Sequence, residues 1–341
     1  MYKAVREKCE FVCAQYVDNL QDLSARGRLL ASDLSWAYRA AFGTRLIGFK
    51  HRGRFIMRTL FNLQASALWF RFLKESYLRE LVAREPGFIE TIHRPFYDKN
   101  ISAINRGRLL KSHYELLQAI FGPRRTERVM SGAGVLLCRF AGKNGEDFQI
   151  NLLHENTFKR EGGVTLELSL NNAALLCLTF TLARVDREIL IKVGGAQAKG
   201  NNCRSLVRDA THALSGIQPR LLLIEALRVI ANQVGCTKIE CIGADNHVYR
   251  AWRYRSKQPI TAQYDQLWLL AGGKLNQSGN FDIPSYVAEK PIDSRPSKKR
   301  SEYRRRAIVL KSMRQQICDT MQGERDTDLP DRMPAAACCA S

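Results

Sequence analysis

The feature that most constrains this chain is a change of apolar period near residue 135. Val135–Phe140 and Phe148–Leu153 are short apolar-rich runs around Lys143-Asn144-Gly145, and Asn-Gly between two such runs is a strong hairpin signal. Val164–Leu170 and Leu175–Ala183 repeat the pattern around Asn171-Asn172, and Glu188–Val193 adds a fifth strand before Gly194-Gly195. Consecutive strands on short turns build an antiparallel sheet. The clearest helix follows, with Pro219 in its first turn and Gly235 just past its end. Leu223, Leu227, Ile230 and Val234 share a face away from Glu225, Arg228 and Asn232. It leads into strand Thr237–Gly243, so one parallel crossover extends the sheet.

Residues 1–128 read instead as helices. Phe55–Arg84 carries Ile56, Leu60, Leu63, Leu68 and Phe72 with no internal Gly or Pro before Pro86-Gly87, and is expected to be the central helix of that half. The expected class is therefore α+β: a helical region over 1–128, a mixed, mainly antiparallel α/β domain over 129–290, a basic helix over 291–318 and a disordered tail over 319–341.

Charge narrows the partners. Lys and Arg number 53 against 33 acids, a formal net charge of +20, which favours polyanions. Two segments concentrate it. Arg45, Lys50, Arg52, Arg54 and Arg58 lie among Leu46, Ile47, Phe49 and Phe55 with no acid over 44–58, a composition that suits either an anionic membrane surface or a solvated helix entry. Lys298, Lys299, Arg300, Arg304, Arg305 and Arg306 form the second, directed at phosphates or an acidic partner. Anionic lipid is the favoured partner and nucleic acid the lesser one. Ten scattered cysteines without a C-x-x-C pair read as reduced, packed thiols. No apolar h-region opens the chain, and the uncharged run Thr59–Phe70 falls short of the ~20 residues that span a bilayer, so a cytoplasmic protein is expected, at most peripheral to the inner membrane.

The chain has no P-loop, H-E-x-x-H, G-x-S-x-G or dinucleotide fingerprint, and its six histidines are spread singly, so no metal is expected. The densest constellation is Asp245–Lys257, directly after strand 237–243, where ligand sites of sheets with parallel crossovers collect. His247 and Tyr249 are its titratable candidates and Arg250 and Arg253 its anion-binding ones; equally, its aromatics read as core and its arginines as snorkelling. Gly194, Gly195 and Gln197 open a glycine-rich stretch, expected as a turn, whose amides suit a phosphate or oxyanion.

Ile92-His93-Arg94-Pro95-Phe96, His113-Tyr114, Glu161–Leu166, Val193-Gly194-Gly195, Gly216–Arg220, His247–Arg250 with Arg253-Tyr254, Tyr264-Asp265 with Trp268, and Ser297–Arg306 stand in an order that resembles the VirK/YbjX family of Gram-negative bacteria over roughly residues 35–315. The resemblance implies a role in virulence and at the cell envelope, including tolerance of cationic antimicrobial peptides, and carries over no catalytic residue. One departure is Leu269-Leu270-Ala271 before Gly272-Gly273, where the family pattern has an acidic residue. Gly216–Leu222, the helix after it, strand 237–243, Asn246 and Tyr249 are also similar to the core of GNAT-type acyltransferases, although residues 194–218 intervene where turn and helix are normally adjacent. That likeness implies acyl-CoA as cofactor, with its pyrophosphate near Gly216 and Arg220, His247 as base and Tyr249 as acid. Two functions thus stand open: an acyl-CoA-dependent acyltransferase, and a non-catalytic binder of an anionic surface.

Overall fold

The computed structural model describes residues 27–43, 48–199, 203–254, 264–288 and 291–323. They fall into two compact units that divide after Arg94. The first unit is helical: α1 (27–42), α2 (Phe49–Phe61), α3 (Leu63–Glu75), α4 (Leu78–Arg84) and a 3-10 segment, Pro86–His93. The single helix expected over Phe55–Arg84 is three, broken at Asn62 and Ser76. The causes are local. Asn62 turns its amide back onto the Arg58 carbonyl (3.0 Å), and Ser76 adopts an extended backbone with its hydroxyl accepting from the Leu78 amide (3.3 Å). Phe42, Phe55, Trp69, Phe70, Leu73, Leu78 and Ile89 form this unit's core.

The second unit is built on one eight-stranded sheet in the order β1-β2-β3-β4-β5-β6-β8-β7. Its strands are β1 (Val135–Ala141), β2 (Asp147–Leu153), β3 (Val164–Leu170), β4 (Ala173–Val185), β5 (Glu188–Ala198), β6 (Cys236–Cys241), β7 (Lys274–Leu275) and β8 (Phe281–Ile283). The first five are antiparallel neighbours, β5 and β6 are parallel, and β8 returns antiparallel to β6, so the class is α+β with a mixed, mainly antiparallel sheet. The β3–β4 hairpin turns on Asn171 and Asn172, both at positive φ, as the twist of a tight hairpin requires.

Around the sheet lie α5 (Ala103–Met130), α6 (Cys203–Ala213), α7 (Pro219–Gln233), α8 (Tyr264–Leu270) and α9 (Arg300–Gln322). The sequence reading ends the helical region at 128, whereas α5 belongs to the second unit and packs on β4. Gly122 and Pro123 interrupt it with one non-helical residue. Helix α7 also packs on β4, which is buried at every position from Leu175 to Ala183, so both faces of the sheet are covered. Helix α9 packs on β1 and α7 and extends four residues past the expected 318; residues 324–341 of the expected tail lie outside the described residues.

Candidate functional site

The site forms where the parallel pair ends. Strand β5 pairs with β6 from Ile189 to Val193, and Ile242 donates once more to the Val193 carbonyl (2.8 Å). Beyond that point β5 runs on to Ala198 against β4 alone. Gly194-Gly195 is thus strand, not the turn expected from sequence. Its register slips there: Val193 faces Phe180 and Gly195 faces Thr179, which makes Gly194 a bulged residue. The reason for glycine is close approach. A Cβ on Gly194 would overlap the Glu161 carbonyl, and one on Gly195 would overlap the Glu161 carboxyl and lie 3.2 Å from the Tyr264 hydroxyl.

Glu161 is fully buried. Its Oε1 accepts a short hydrogen bond from the Gln197 amide, and its Oε2 has no partner. Desolvation raises its pKa to about 8 against the lowering effect of Gln197, so the carboxyl is largely protonated at neutral pH. His247 is also fully buried, with Nε2 3.6 Å from Glu161 Oε1. Burial lowers it to about 4, so the ring is neutral. The Tyr249 backbone N–H donates to His247 Nδ1 (3.3 Å), which puts the single ring proton on Nε2 and makes that atom a donor. Tyr264 stacks on the His247 ring, 5.1 Å away at 13°, and Trp268 stacks on Tyr264. Burial keeps the Tyr264 phenol protonated, with the Glu161 charge pushing the same way and Arg220 opposing. The Gly194 backbone also acts on His247, raising its pKa, and the Ala196 backbone and Gln197 act on Tyr264, lowering its pKa. By distance and angle, His247 Nε2 and the Tyr264 hydroxyl make no hydrogen bond.

One segment holds both halves of this cluster. Tyr97 donates its N–H to the Arg160 carbonyl (2.7 Å), Lys99 donates to the Asn246 carbonyl (2.9 Å), and Asp98 forms a β-bridge with His247. Tyr97 sits at φ 62, a strained conformation for an aromatic residue. Its buried hydroxyl donates to Glu240 Oε1 (2.8 Å), which also takes Lys192 (2.6 Å). Helix α8 is fixed by Trp268 Nε1 on the Ile242 carbonyl (2.8 Å) and by Asp265, which accepts from the Ala244 N–H (2.8 Å). The Tyr97–Lys99 contacts and the two anchors of α8 therefore hold Glu161, His247 and Tyr264 together.

Of the residues singled out from sequence, Gly194, Gly195, Gln197, His247 and Tyr249 meet here. Tyr249 is half-buried, its ring 5.5 Å from that of His247, and its pKa is raised to about 12 by burial and by Glu161. Arg220, half-buried at the start of α7, is close enough to Tyr264 to influence it. Gly216 lies elsewhere, against Glu302 and Arg306 of α9, and Arg306 Nε donates to the Ser215 carbonyl (2.6 Å). The Arg306 and Arg295 guanidiniums lie over the Tyr303 ring, whereas Lys298, Lys299, Arg304 and Arg305 are exposed and Arg300 half-buried. Arg250 and Arg253 are exposed, Arg250 beside Asp245 at 3.8 Å. The expected helix or ligand segment around them is two 3-10 turns, Val248–Arg250 and Trp252–Tyr254, and residues 255–257 lie outside the described residues. Glu161 and Tyr264 stood in sequence only as parts of the family motifs. Among the described residues no cluster of His, Cys, Asp or Glu could hold a metal, and no helix is long and apolar enough to cross a membrane.

The chain is thus an α+β protein whose mixed sheet ends its parallel pair on a buried carboxyl, imidazole and phenol. The chain belongs to the family described as "Protein of unknown function (DUF535)", which matches residues 45–319. It is 30% identical over 276 residues to uncharacterized protein YbjX of Escherichia coli (strain K12), covering 80% of this chain and 84% of that protein, which agrees with the VirK/YbjX resemblance. Two uncharacterized proteins of Haemophilus influenzae are 23% identical over 255 residues (74% of this chain, 84% of the relative) and 27% over 165 (48% and 54%). No solved structure matches the chain, and the GNAT likeness gains no support from these relatives.

Proposed function

We propose that the chain transfers an acyl group from a thioester donor of the acyl-coenzyme A type. Glu161 carries the proton, and His247 and Tyr264 stabilise the oxyanion. The observation that carries this reading is the meeting of three buried, unpartnered polar atoms, Glu161 Oε2, His247 Nε2 and Tyr264 Oη, where β5 leaves β6. Two are donors and the third belongs to a carboxyl that titrates near neutrality, which is the equipment of acyl transfer. An acceptor amine or hydroxyl attacks the thioester carbonyl carbon as ionised Glu161 takes its proton. The negative charge gathers on the carbonyl oxygen, facing His247 Nε2–H and Tyr264 O–H. Collapse breaks the C–S bond, and Glu161 returns the proton to the departing sulfur. The sequence reading gives the base to His247 and the acid to Tyr249. The tautomer of His247 favours a donor at Nε2, and a carboxyl near 8 matches a thiol better than a phenol near 12.

The donor's phosphates go to the start of α7, where amides before the first helical turn and Arg220 offer positive charge, with Gly194, Gly195 and Gln197 lining the reacting end. The VirK/YbjX resemblance read from the sequence implies a role at the bacterial envelope and in virulence, and the acceptor is then an envelope component. The exposed Lys298, Lys299, Arg304 and Arg305 favour the second reading, a non-catalytic binder of an anionic surface.

Calorimetry with coenzyme A and a long-chain acyl-CoA separates the two. Wild type is expected to bind both, Arg220→Ala more weakly, and Tyr249→Phe as wild type. If neither ligand binds wild type at millimolar concentration, the transferase reading falls and the anionic-surface binder takes its place.

A further inference from the structure

Helix α2 has two apolar sides, and among the described residues only one is packed. Phe55 and Thr59 are buried in the first unit, and Glu90 fixes the helix about its axis. That buried carboxylate takes His51 at 2.7 Å and Arg94 at 3.2 Å, with Arg58 at 3.9 Å. A different side then faces outward. Phe49, Gly53, Ile56 and Leu60 recur at helical spacing along it, with Met57 and Phe61 beside them. Phe49 is 89% exposed, Phe61 82%, Leu60 62%, Met57 57% and Ile56 45%. Apolar residues clustered this way on one short helix differ from the scattered exposed apolar residues of ordinary surfaces.

Charge identifies the occupant. α2 contains Lys50, Arg52, Arg54 and Arg58 and no acid, and Lys50 and Arg54 are exposed next to the apolar stripe. A second copy docked symmetrically would bring these cations together. A surface with anionic head groups above an apolar layer satisfies both features, with the phenyl and aliphatic groups in the acyl boundary and the ammonium and guanidinium groups among the phosphates. At 13 residues the helix is too short to cross a bilayer and suited to lying in its surface.

We infer that α2 docks the protein on anionic lipid bilayers through Phe49, Ile56, Met57, Leu60 and Phe61, with Lys50 and Arg54 on the head groups. The inference is independent of the transferase reading. It is tested by co-sedimentation of the full chain with vesicles of phosphatidylcholine alone and of phosphatidylcholine with phosphatidylglycerol, at low and high salt. Wild type is expected to sediment with the anionic vesicles and to be released by salt. Leu60→Gln/Phe61→Gln, which alters no charge, should lower the partition coefficient about tenfold or more, and Lys50→Gln/Arg54→Gln should lower it and flatten the salt dependence. All these positions are exposed, so thermal midpoints should match wild type. Wild-type binding by the apolar pair overturns the inference. So does absence of binding to anionic vesicles, or an apolar-pair effect only on self-association or on duplex DNA binding.

Discussion

Glu90 in the first unit and Glu161 in the second are both buried, yet their surroundings differ in charge. Glu90 is surrounded by His51, Arg58 and Arg94; burial pushes its pKa up, but Arg94 and His51 outweigh it, so that its pKa lies below the ordinary value. Glu161 has an amide, a neutral imidazole and a phenol around it, and burial raises it to about 8. Burial of a charge is normally matched by a counter-charge. Glu161 lacks one, and the backbone on both sides of it is built to keep it there: Gly162 and Gly163 let its loop approach Phe180 and His113, as Gly194 and Gly195 admit it from β5. A site that retains an unpaired carboxyl at a cost in stability resembles a site kept for chemistry.

The largest expected effect breaks the contrast at Glu161. Glu161→Gln keeps the shape and removes the titrating carboxyl, so on the proposed transferase reading acyl transfer should fall by about 10²–10⁴-fold, while the protein becomes more stable. The sign follows from linkage. The unfolded carboxyl ionises near 4.5 and the folded one near 8, so burial opposes folding increasingly as pH rises from about 4.5 to about 8. Glu161→Gln should therefore raise the unfolding free energy by about 2–4 kcal/mol at pH 8.5 and by little at pH 4.5. Denaturant melts at both pH values check it; a destabilised variant at pH 8.5 would make Glu161 a structural residue like Glu90.

Glu90→Gln is the mirror experiment. It removes the charge on which His51, Arg58 and Arg94 converge, and should destabilise the first unit by about 3 kcal/mol at neutral pH. Because its folded pKa is lowered, the stabilisation from Glu90 is present above about pH 4.5 and lost as pH falls, opposite to Glu161. Relative to wild type, the effect of Glu90→Gln should therefore fade at acid pH and that of Glu161→Gln should grow as pH rises above about 4.5.

The Tyr264 donor comes next. Tyr264→Phe preserves the ring stack between His247 and Trp268 and deletes only the hydroxyl, so kcat should fall by about 10–10³-fold with KM little changed. An unchanged kcat would remove Tyr264 from the oxyanion site and leave it as packing.

How much of this was legible in sequence depended on how local its cause was. The Asn171-Asn172 hairpin, the Pro219-to-Gly235 punctuation of α7 and the crossover into β6 are written in adjacent residues, and the structure has them. The breaks at Asn62 and Ser76 carry no Gly or Pro, and β7 and β8, at two and three residues, are too short to show an alternation. Gly194-Gly195 reads as a turn because a bulge opposite Phe180 and the approach of Glu161 are made by distant parts of the chain. Glu161 has the same character. Its pKa arises from groups at 197, 247 and 264, and only the family motifs drew attention to its neighbourhood.

The smallest expected effect separates Tyr249 from Glu161. Tyr249 is half-buried beside His247, and its N–H, not its hydroxyl, sets the His247 tautomer. Tyr249→Phe leaves that backbone bond and the ring contact intact. If Glu161 carries the proton, this variant should retain activity within about threefold, and its rate should still rise with pH towards a plateau above about 8 as Glu161 ionises. If Tyr249 is the acid that protonates the thiolate, the same substitution should cost about 10²-fold or more and spare substrates whose leaving group needs no proton. A pH–rate profile of Tyr249→Phe with a thioester of low thiol pKa, compared with an alkyl thioester, distinguishes the two proton carriers.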